Sequence, residues 1–471
     1  MKNASRSVAW AGIAPLATLL LLALAAAAPL WGPGLLNTRG GGDSPFLLMR
    51  THQLVANLQD KVFPARWMPD AAYGLGYPFF SYYAALPYYV ASSFHLVGLG
   101  MLTSIKLTPT LFAAAAAVTM YGWSRGVLRG RASAWLAAVA YTFVPFHLVN
   151  VYVRGDSLSE FAAFAFYPLI LWGLDRLAAQ PSLKCALMPS LAYAGLIVTH
   201  NVSALIFSPF VLLYVAFHLV RAVTAERHQR RAGIASRHLL LILPVALALL
   251  LSAWFWLPAL AETDEVQLTA QTTGYFTYAN HFRGRDLIQP GLVFNYSTDA
   301  VSGSPFAMGL LHALLTGAGV LFGLFTFLPS RSGAGRVGER FPGARESGSC
   351  ARLPLLGLAL GAVLLSTWMV TPLSRPLWER LPLLQLVQFP WRFLSVQALF
   401  ASPLIGFPVS YLASRRRWVG WAAALALGAA LLTTALGGLD VDFLPISAAD
   451  VTTDRLQLYE LFTGNIGSTS R

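Results

Sequence analysis

The sequence predicts an all-α polytopic membrane protein with about 11 transmembrane helices. Of its 471 residues, 56% are hydrophobic and 11% are charged, an apolar share above that of ordinary soluble domains. The charged residues stand in short clusters between long apolar runs. This composition excludes a soluble enzyme. The two cysteines exclude a disulfide-stapled domain and any zinc or iron–sulfur site built from several thiolates.

The apolar runs approach the roughly 20 residues that a helix needs to cross a bilayer. The first run is either an uncleaved anchor or a signal peptide, and its length favours the anchor because signal-peptide cores are shorter. The predicted spans are Val8–Trp31, Leu107–Trp123, Ala132–Asn150, Leu158–Leu174, Cys185–Thr199, Val202–Val220, Leu239–Leu260, Phe306–Leu328, Leu353–Thr371, Phe393–Ala413 and Trp418–Leu436.

Basic clusters set the predicted orientation, because cytoplasmic loops of membrane proteins are enriched in Lys and Arg. With a cytoplasmic N-terminus, the segments predicted inside hold 20 of the 33 basic residues and 4 of the 20 acidic ones. This division requires that a further apolar stretch, Phe79–Leu102, lies in the outer leaflet or is re-entrant, since a crossing would put every later cluster outside. We therefore expect a multi-pass protein of the inner or plasma membrane with its C-terminus outside.

The predicted spans divide the chain into a transmembrane domain, 1–436, and an outer tail, 437–471, which we interpret as the start of a further extracytoplasmic domain. The net charge of +13 then reflects the orientation signal, and the basic residues form a surface for anionic membrane lipid, so the charge does not require a nucleic-acid partner.

There is no Walker loop, no GxGxxG after a strand, no HExxH and no GxSxG in the sequence. The predicted outer loops are 32–106, 261–305 and 372–392, and 329–352 is a basic cytoplasmic linker.

Asp43 is the first candidate catalytic residue. It follows the glycines Gly40–Gly42, about a dozen residues after the first span, and glycines let a backbone approach a ligand closely. A carboxylate there can act as a general base toward an acceptor hydroxyl. The alternative is a helix N-cap, because Pro45 suits the first turn of the amphipathic run Phe46–Asn57. The two roles are compatible.

Asp156 and Glu160 lie in the segment that joins the third and fourth spans at the predicted outer face. If the helix begins near Ser157, Glu160 projects from its first turn toward the outer surface near Asp156. The pair then either holds a divalent cation or shares a proton, or Asp156 or Ser157 caps the helix with Glu160 near its positive end. A divalent metal is the one cofactor for which the sequence offers ligands.

Arg392 is the last residue of the third candidate motif, Leu381–Arg392. It stands at the head of the tenth span beside Trp391, where a guanidinium can bind a lipid-borne phosphate through two parallel hydrogen bonds. The alternative is an interfacial Trp–Arg anchor that extends to the headgroups. Arg is under-used on this face, which favours phosphate binding.

Six motifs are spread over nearly the whole chain: Gly42-Asp43-Ser44-Pro45, Phe63-Pro64-Ala65-Arg66-Trp67 with Gly74-Leu75-Gly76-Tyr77-Pro78, Tyr152-Val153-Arg154-Gly155 with Glu160, His200-Asn201, Gln388-Phe389-Pro390-Trp391-Arg392 and Thr463-Gly464-Asn465-Ile466-Gly467. Through them the chain resembles bacterial membrane proteins of the 6-pyruvoyl-tetrahydropterin synthase-related group. That group is similar to the GT-C superfamily of glycosyltransferases, which includes oligosaccharyltransferase catalytic subunits and protein O-mannosyltransferases. Nothing in the sequence supports pterin chemistry.

The resemblance implies a GT-C-like membrane glycosyltransferase of the cell envelope, with a polyprenyl-phosphate-linked sugar as donor and an acceptor on the outer face. It implies the catalytic-base position for Asp43 and places Asp156 and Glu160 on the second acid-bearing loop. His200, at a span junction, and His52 and His281, in loops, are predicted to be mainly structural or interfacial. The candidate substrate-binding residues are Arg154, Gln388, Trp391, Arg392, His200 and His52.

A non-catalytic lipid or polysaccharide carrier, acting as an export component, is the competing interpretation. A carrier of charged cargo should have ionisable residues at mid-membrane depth. In this sequence nearly all of them stand at the ends of predicted spans, which favours the transferase.

Overall fold

The computed structural model describes residues 2–38, 44–128, 130–155, 157–229, 234–267, 272–298, 304–327 and 353–464. Two predicted site residues, Asp43 and Asp156, and the whole of the linker 329–352 lie outside the described residues. Regular structure in the described part is almost entirely helical, with two strands of three residues each, Leu35–Asn37 (β1) and Asp442–Leu444 (β2). The predicted all-α polytopic fold class is confirmed.

Long apolar helices alternate with short ones along the chain. The first half contains α1 (Lys2–Ala27), α2 (Pro45–Gln59), α3 (Phe79–Tyr82), α4 (Leu86–Leu96), α5 (Met101–Leu128), α6 (Arg131–Thr142), α7 (Pro145–Tyr152), α8 (Leu158–Ala179) and α9 (Leu183–Thr199). The second half contains α10 (Asn201–Gln229), α11 (Ile234–His238), α12 (Leu243–Ala261), α13 (Leu310–Phe327), α14 (Leu353–Val370), α15 (Arg375–Arg380), α16 (Pro382–Gln385), α17 (Leu394–Arg415), α18 (Arg417–Leu436) and α19 (Thr453–Thr463).

Eight segments of the described chain are long and apolar enough to cross a membrane; they contain α1, α5, α6 with α7, α8, α10, α12, α17 and α18. A ninth candidate joins Pro354–Val370 to Pro372–Arg380 through a bend of 90°. The other two predicted spans form shorter apolar helices, Leu183–Thr199 and Leu310–Phe325. Every predicted span therefore contains an apolar helix, but eight or nine segments, not eleven, have the length of a full crossing.

The middle of the bundle is formed by the segments Arg131–Tyr152 and Pro390–Arg415, most of whose residues are buried. In helix α18 only five of the 20 residues are buried, as expected of a helix that faces lipid. Helix α13 approaches α17 so closely that a Cβ on Gly319 would lie 2.2 Å from the Leu404 carbonyl oxygen. Small residues allow such close contacts between membrane helices.

One end of the bundle, which we call the loop end, carries the described residues of 32–100, 262–298, 371–393 and 437–464. These segments contact each other directly. Arg66 pairs with Glu262 at 2.5 Å, and Tyr82 donates to the Glu262 carbonyl at 2.9 Å. The rings of Tyr278 and Trp378 stack with their centroids 5.3 Å apart. Segments that the sequence assigns to one face therefore do meet at one end of the protein.

The described part of the tail packs against the first loop. Strand β2 pairs antiparallel with β1, with Leu36 opposite Phe443. The carboxylate of Glu460, on α19, accepts hydrogen bonds from the amides of Ala72 and Tyr73 at 3.3 and 3.0 Å. The described residues of the tail therefore form part of the loop end.

The ambiguous stretch Phe79–Leu102 does not form one continuous helix. It contains α3, of four residues, and α4, of 11 residues, before α5 begins at Met101. At about 1.5 Å per residue, neither short helix can span a bilayer core of roughly 30 Å. The first loop therefore carries short helices, as the sequence predicts for an interfacial segment.

Candidate active site at the loop end

Glu160 lies at the centre of a buried polar cluster. Its side chain is 2% exposed, and Oε2 accepts a hydrogen bond of 2.6 Å from Arg154 Nη1 and lies 3.3 Å from Arg392 Nε. Arg154 Nη1 also donates to Asn150 Oδ1 at 2.7 Å, and Arg392 Nη1 donates to the Val387 carbonyl at 2.9 Å. Because burial of an unpaired carboxylate is costly, the two arginines stabilise Glu160 in this position.

The local sequence explains how Glu160 reaches the cluster. Helix α7 ends at Tyr152, and α8 begins at Leu158 with Ser157 in the N-cap position. Glu160 thus lies in the first turn of α8, as predicted, where the positive end of the helix dipole favours a carboxylate. The prediction that it projects toward the outer surface is wrong, because the side chain points into the protein and meets Arg154 and Arg392.

Arg392 lies in a single 3₁₀ turn, Pro390–Phe393, directly before α17. The preceding Gln388 has φ of 65°, a left-handed conformation that is uncommon for a residue with a side chain and is often found at functional sites. Arg392 is only 7% exposed. Unlike an interfacial anchor, its guanidinium does not extend to the surface but faces the Glu160 cluster.

Aromatic rings surround the two arginines. Trp391 stacks on Phe306 and Phe389, with ring centroids 4.2 and 4.8 Å apart. The Arg154 guanidinium lies 4.9 Å from the Trp391 ring centroid, and that of Arg392 lies 5.0 Å from the Phe389 ring centroid. Such cation–π contacts strengthen when water is excluded. The cluster therefore brings together the end of α7, the first turn of α8, the 3₁₀ turn before α17 and Phe306, which lies just before α13.

Thr38 and Ser44, the described residues on either side of positions 39–43, contact each other. Ser44 Oγ accepts a hydrogen bond of 3.1 Å from the Thr38 amide and lies 2.9 Å from Thr38 Oγ1. Helix α2 begins at Pro45 with Ser44 in the N-cap position. Ser44 makes no side-chain capping hydrogen bond, and the N-cap role of Asp43 stays a prediction. Asp43 itself lies outside the described residues.

A pocket lies between Ser44 and the Glu160 cluster. Its walls are mostly apolar, and its polar lining consists of Thr38, Ser44, Lys106 and Asn150. The lining also includes Gly155. Asn150 accepts from Arg154 through Oδ1, so the pocket and the cluster share a wall. The residue after Asp43 and the residue before Asp156 thus line the same pocket.

The predicted histidines lie at different distances from this site. His200 is 6% exposed, contacts Ser203 Oγ at 2.7 Å and is close enough to Glu160 to interact with its charge. His281 lies with its ring 4.6 Å from that of Phe389. His52 is in helix α2 and not in a loop, and its Nε2 lies 3.2 Å from Thr453 Oγ1. His52 is therefore not part of the Glu160 cluster.

Three polar residues escaped the sequence analysis. Asn150 is the last residue of a predicted span, and Lys106 is the last residue of a predicted loop. Arg50, on α2, is 1% exposed, donates to Tyr88 Oη at 3.0 Å and lies 4.5 Å from the Phe79 ring centroid. A charged residue in an otherwise apolar helical run was the available signal for Lys106 and Arg50. Asn150 gave no such signal.

No group of three or more His, Cys, Asp or Glu side chains within the described ranges could hold a metal ion. The predicted acidic pair is described only in part, since Glu160 is inside these ranges and Asp156 is outside. Glu160 is bound to Arg154 and lies against Arg392. Its described surroundings are therefore cationic.

Comparison with known sequences gives the family. The family described as "6-pyruvoyl-tetrahydropterin synthase related domain; membrane protein" matches residues 80–439, well over half of the chain. The chain belongs to this family. The predicted membership is confirmed, and the matched region includes Asn150, Glu160 and Arg392.

One curated relative is an uncharacterized protein of Lactococcus lactis subsp. cremoris. It is 26% identical to this chain over 228 residues, which are 48% of this chain and 36% of the relative. The chain thus spans little more than a third of that protein's length.

Two solved structures of an Archaeoglobus fulgidus oligosaccharyltransferase are similar to this chain. One is a complex with zinc and sulfate, with 16% identity, a TM-score of 0.44 and coverage of 89% of this chain and 52% of that one. The other, named AglB, is a complex with an inhibitory peptide and dolichol-phosphate, with 14% identity, a TM-score of 0.44 and coverage of 89% and 55%. The chain spans about half the length of each.

Proposed function

We propose that the protein transfers a sugar from a polyprenyl-phosphate donor to a hydroxyl acceptor on the outer face of the membrane, and that the loop end carries the active site. One observation carries this proposal. Ser44, Asn150 and Gly155 line one pocket, and Asn150 is bonded to Arg154 of the Glu160–Arg392 cluster. The neighbours of both predicted acids and the predicted phosphate-binding arginines thus belong to adjoining parts of one site.

In the proposed reaction, Asp43 acts as general base. The acceptor oxygen attacks the anomeric carbon of the donor sugar while Asp43 takes the hydroxyl proton. The bond between that carbon and the phosphate oxygen breaks, and the polyprenyl phosphate leaves with the bonding electrons. The positive charges of Arg154 and Arg392 stabilise the phosphate as its negative charge grows.

Glu160 acts in this proposal as a positioning residue. Its carboxylate fixes Arg154 at 2.6 Å and lies 3.3 Å from Arg392, so both guanidinium groups are oriented before the donor binds. Pre-oriented charges stabilise a transition state without reorganisation during the reaction. Trp391, which stacks on Phe306 and Phe389, gives this side of the site a rigid apolar wall for the donor lipid.

A transfer assay in detergent tests the proposal. The purified protein is mixed with a labelled lipid extract that contains polyprenyl-phosphate sugars and with cell-envelope material of the host as acceptor. We expect label to move from the lipid fraction to the envelope fraction. In detergent no membrane separates an inner from an outer compartment. A protein that only carries lipid across the membrane would therefore leave the label in the lipid fraction. That result would contradict the transferase and favour the carrier.

Two variants test the residue roles in the same assay. Asp43→Asn should lower the transfer rate by about 10²- to 10⁴-fold, the usual contribution of a general base. Asp60→Asn, an exposed residue at the end of α2, is the matched control and should retain the wild-type rate. Arg392→Lys should raise the donor concentration needed for half-maximal rate, because Lys keeps the charge but loses the planar guanidinium. A wild-type rate in Asp43→Asn would exclude Asp43 as the base.

A further inference from the structure

The pocket between strand β1, helix α2, helix α5 and the end of α7 has unusual polar chemistry. Lys106 belongs to a helix long and apolar enough to span the membrane, where ionisable residues usually mark a functional site. Its Nζ donates to the Gly32 carbonyl at 2.6 Å and lies 5.8 Å from the Phe443 ring centroid. Among the described residues no carboxylate pairs with it. The pocket lining therefore includes a lysine whose charge is not neutralised by a described acid.

Asn150 adds an unsatisfied donor to the same pocket. The residue is fully buried, with 0% exposure, and lines the pocket. Its Oδ1 accepts from Arg154, whereas its Nδ2 has no hydrogen-bond partner in the part of the chain that the structure describes. Buried polar groups are nearly always hydrogen-bonded, and an exception needs an explanation. An oxygen atom of a ligand would satisfy this amide.

The rest of the lining defines the kind of ligand. The hydroxyls of Thr38 and Ser44 stand at one side of the pocket, and the other walls are apolar side chains: Leu30, Leu35, Leu36, Leu47, Ile105 and Leu158. A sugar ring would leave its hydroxyl groups against these leucines without partners. An anionic oxygen joined to an apolar chain fits both the donors and the walls.

We infer that this pocket binds the phosphate group of a lipid phosphate, with Lys106 and Asn150 as its direct ligands and the leucine walls around the first part of the lipid chain. The anion site itself stands on the geometry of the pocket. That its occupant is the glycosyl donor's phosphate rests on the proposed function. Because Asn150 Oδ1 is bonded to Arg154, a phosphate at Asn150 Nδ2 lies beside the Arg154 guanidinium, and the two proposals describe one phosphate.

Binding of farnesyl phosphate to the purified full chain in detergent tests this inference, with no sugar present and no reaction required. We expect farnesyl phosphate to bind at least about 10-fold more tightly than farnesol, since hydrogen bonds to charged groups contribute about 1.5–3 kcal/mol each. Equal affinity for farnesol would overturn the anion site. Equal competition by inorganic phosphate would overturn the lipid phosphate as ligand, and equal competition by phosphatidylglycerol would assign the pocket to a membrane phospholipid and overturn the prenyl ligand.

Variants assign the two ligands. Lys106→Gln should weaken binding of farnesyl phosphate by about 10-fold or more, and Lys106→Arg should retain much of it. Asn150→Asp keeps an oxygen for Arg154 and replaces the free donor with a carboxylate, so it should repel the phosphate. The matched controls are Lys184→Gln and Asn280→Asp, both at exposed positions. Wild-type affinity in folded Lys106→Gln would overturn the inference, whereas binding without sugar transfer would contradict only the proposed function.

Discussion

Asn37 Nδ2 donates a hydrogen bond of 2.8 Å to Asp442 Oδ2, 405 residues further along the chain. The two residues are also partners in the β1–β2 pair, so the segment after the first helix and the segment after the last apolar helix lie at the same end of the bundle. The chain must therefore cross the membrane an even number of times between them. A crossing by Phe79–Leu102 in addition to the ten predicted spans that follow α1 would make this number odd.

Cysteine labelling should report this arrangement in cells. After replacement of Cys185 and Cys350, single cysteines at Asp60 and Ser447 should react with a membrane-impermeant reagent from the same side, because both belong to the loop end. A cysteine at Gly335, in the basic linker, should react only after the membrane is opened, since positive loops stay inside. Labelling of Gly335→Cys in intact cells would show that the linker lies outside and that the predicted orientation is wrong.

Glu160→Gln should destabilise the protein strongly. The substitution leaves Arg154 and Arg392 facing an uncharged amide in a buried cluster, and removal of one partner of a buried ion pair typically costs about 3–5 kcal/mol. A thermal-unfolding midpoint measured in detergent should fall clearly below that of the wild type.

The control for this change is Glu379→Gln. Glu379 faces Arg375 at 3.8 Å, and both side chains are more than half exposed, so its loss should change the stability by about 1 kcal/mol or less. Equal midpoints for the two variants would mean that the Glu160 ion pairs contribute no more than a surface pair.

His281 should give the protein a stability that falls with decreasing pH. Burial lowers the pKa of His281 below its usual value of 6.5, and the charges of Arg283 and Arg392 lower it further. The unfolded chain then binds a proton more readily than the folded one, so this contribution is complete above pH 6.5 and is lost as the pH falls from there toward the folded pKa.

Thermal midpoints at pH 7.5 and 5.5 check this expectation. In His281→Gln the decrease between the two pH values should be smaller than in the wild type, because the titrating group is gone. The neighbouring exposed variant Asn280→Gln should keep the wild-type decrease. The same pH dependence in His281→Gln and wild type would exclude His281 as its source.

Gly34→Ala should weaken the attachment of the tail. Gly34 has φ of 81°, and an added Cβ would lie 2.0 Å from the Leu444 carbonyl oxygen. The control Gly98→Ala shares the positive φ, 104°, but has no atom within 4 Å of the added Cβ. Both variants should carry the left-handed strain of about 1–2 kcal/mol, and only Gly34→Ala should also expose the tail to limited proteolysis. Equal protease sensitivity would mean that the β1–β2 pair does not hold the tail.

Local sequence properties determined much of this structure. Apolar runs predicted a helix in every span, because a polar backbone in lipid must satisfy its hydrogen bonds within the helix. Pro87 and the tyrosines marked Phe79–Leu102 as interfacial, and the Ser157 region placed Glu160 in a first helical turn. These features depend on residues a few positions apart, so their pattern can be recognised in the sequence alone.

Only the tertiary structure decided how distant residues combine. The burial of Glu160 against Arg392, the pairing of Asn37 with Asp442, and the convergence of Lys106 and Asn150 on one pocket all require particular contacts between helices and loops far apart in sequence. Hydropathy and charge clusters report how a segment partitions between water and lipid, and they carry no information on which face of one helix meets which face of another. Side-chain packing fixes those faces, and with them the chemistry of the site.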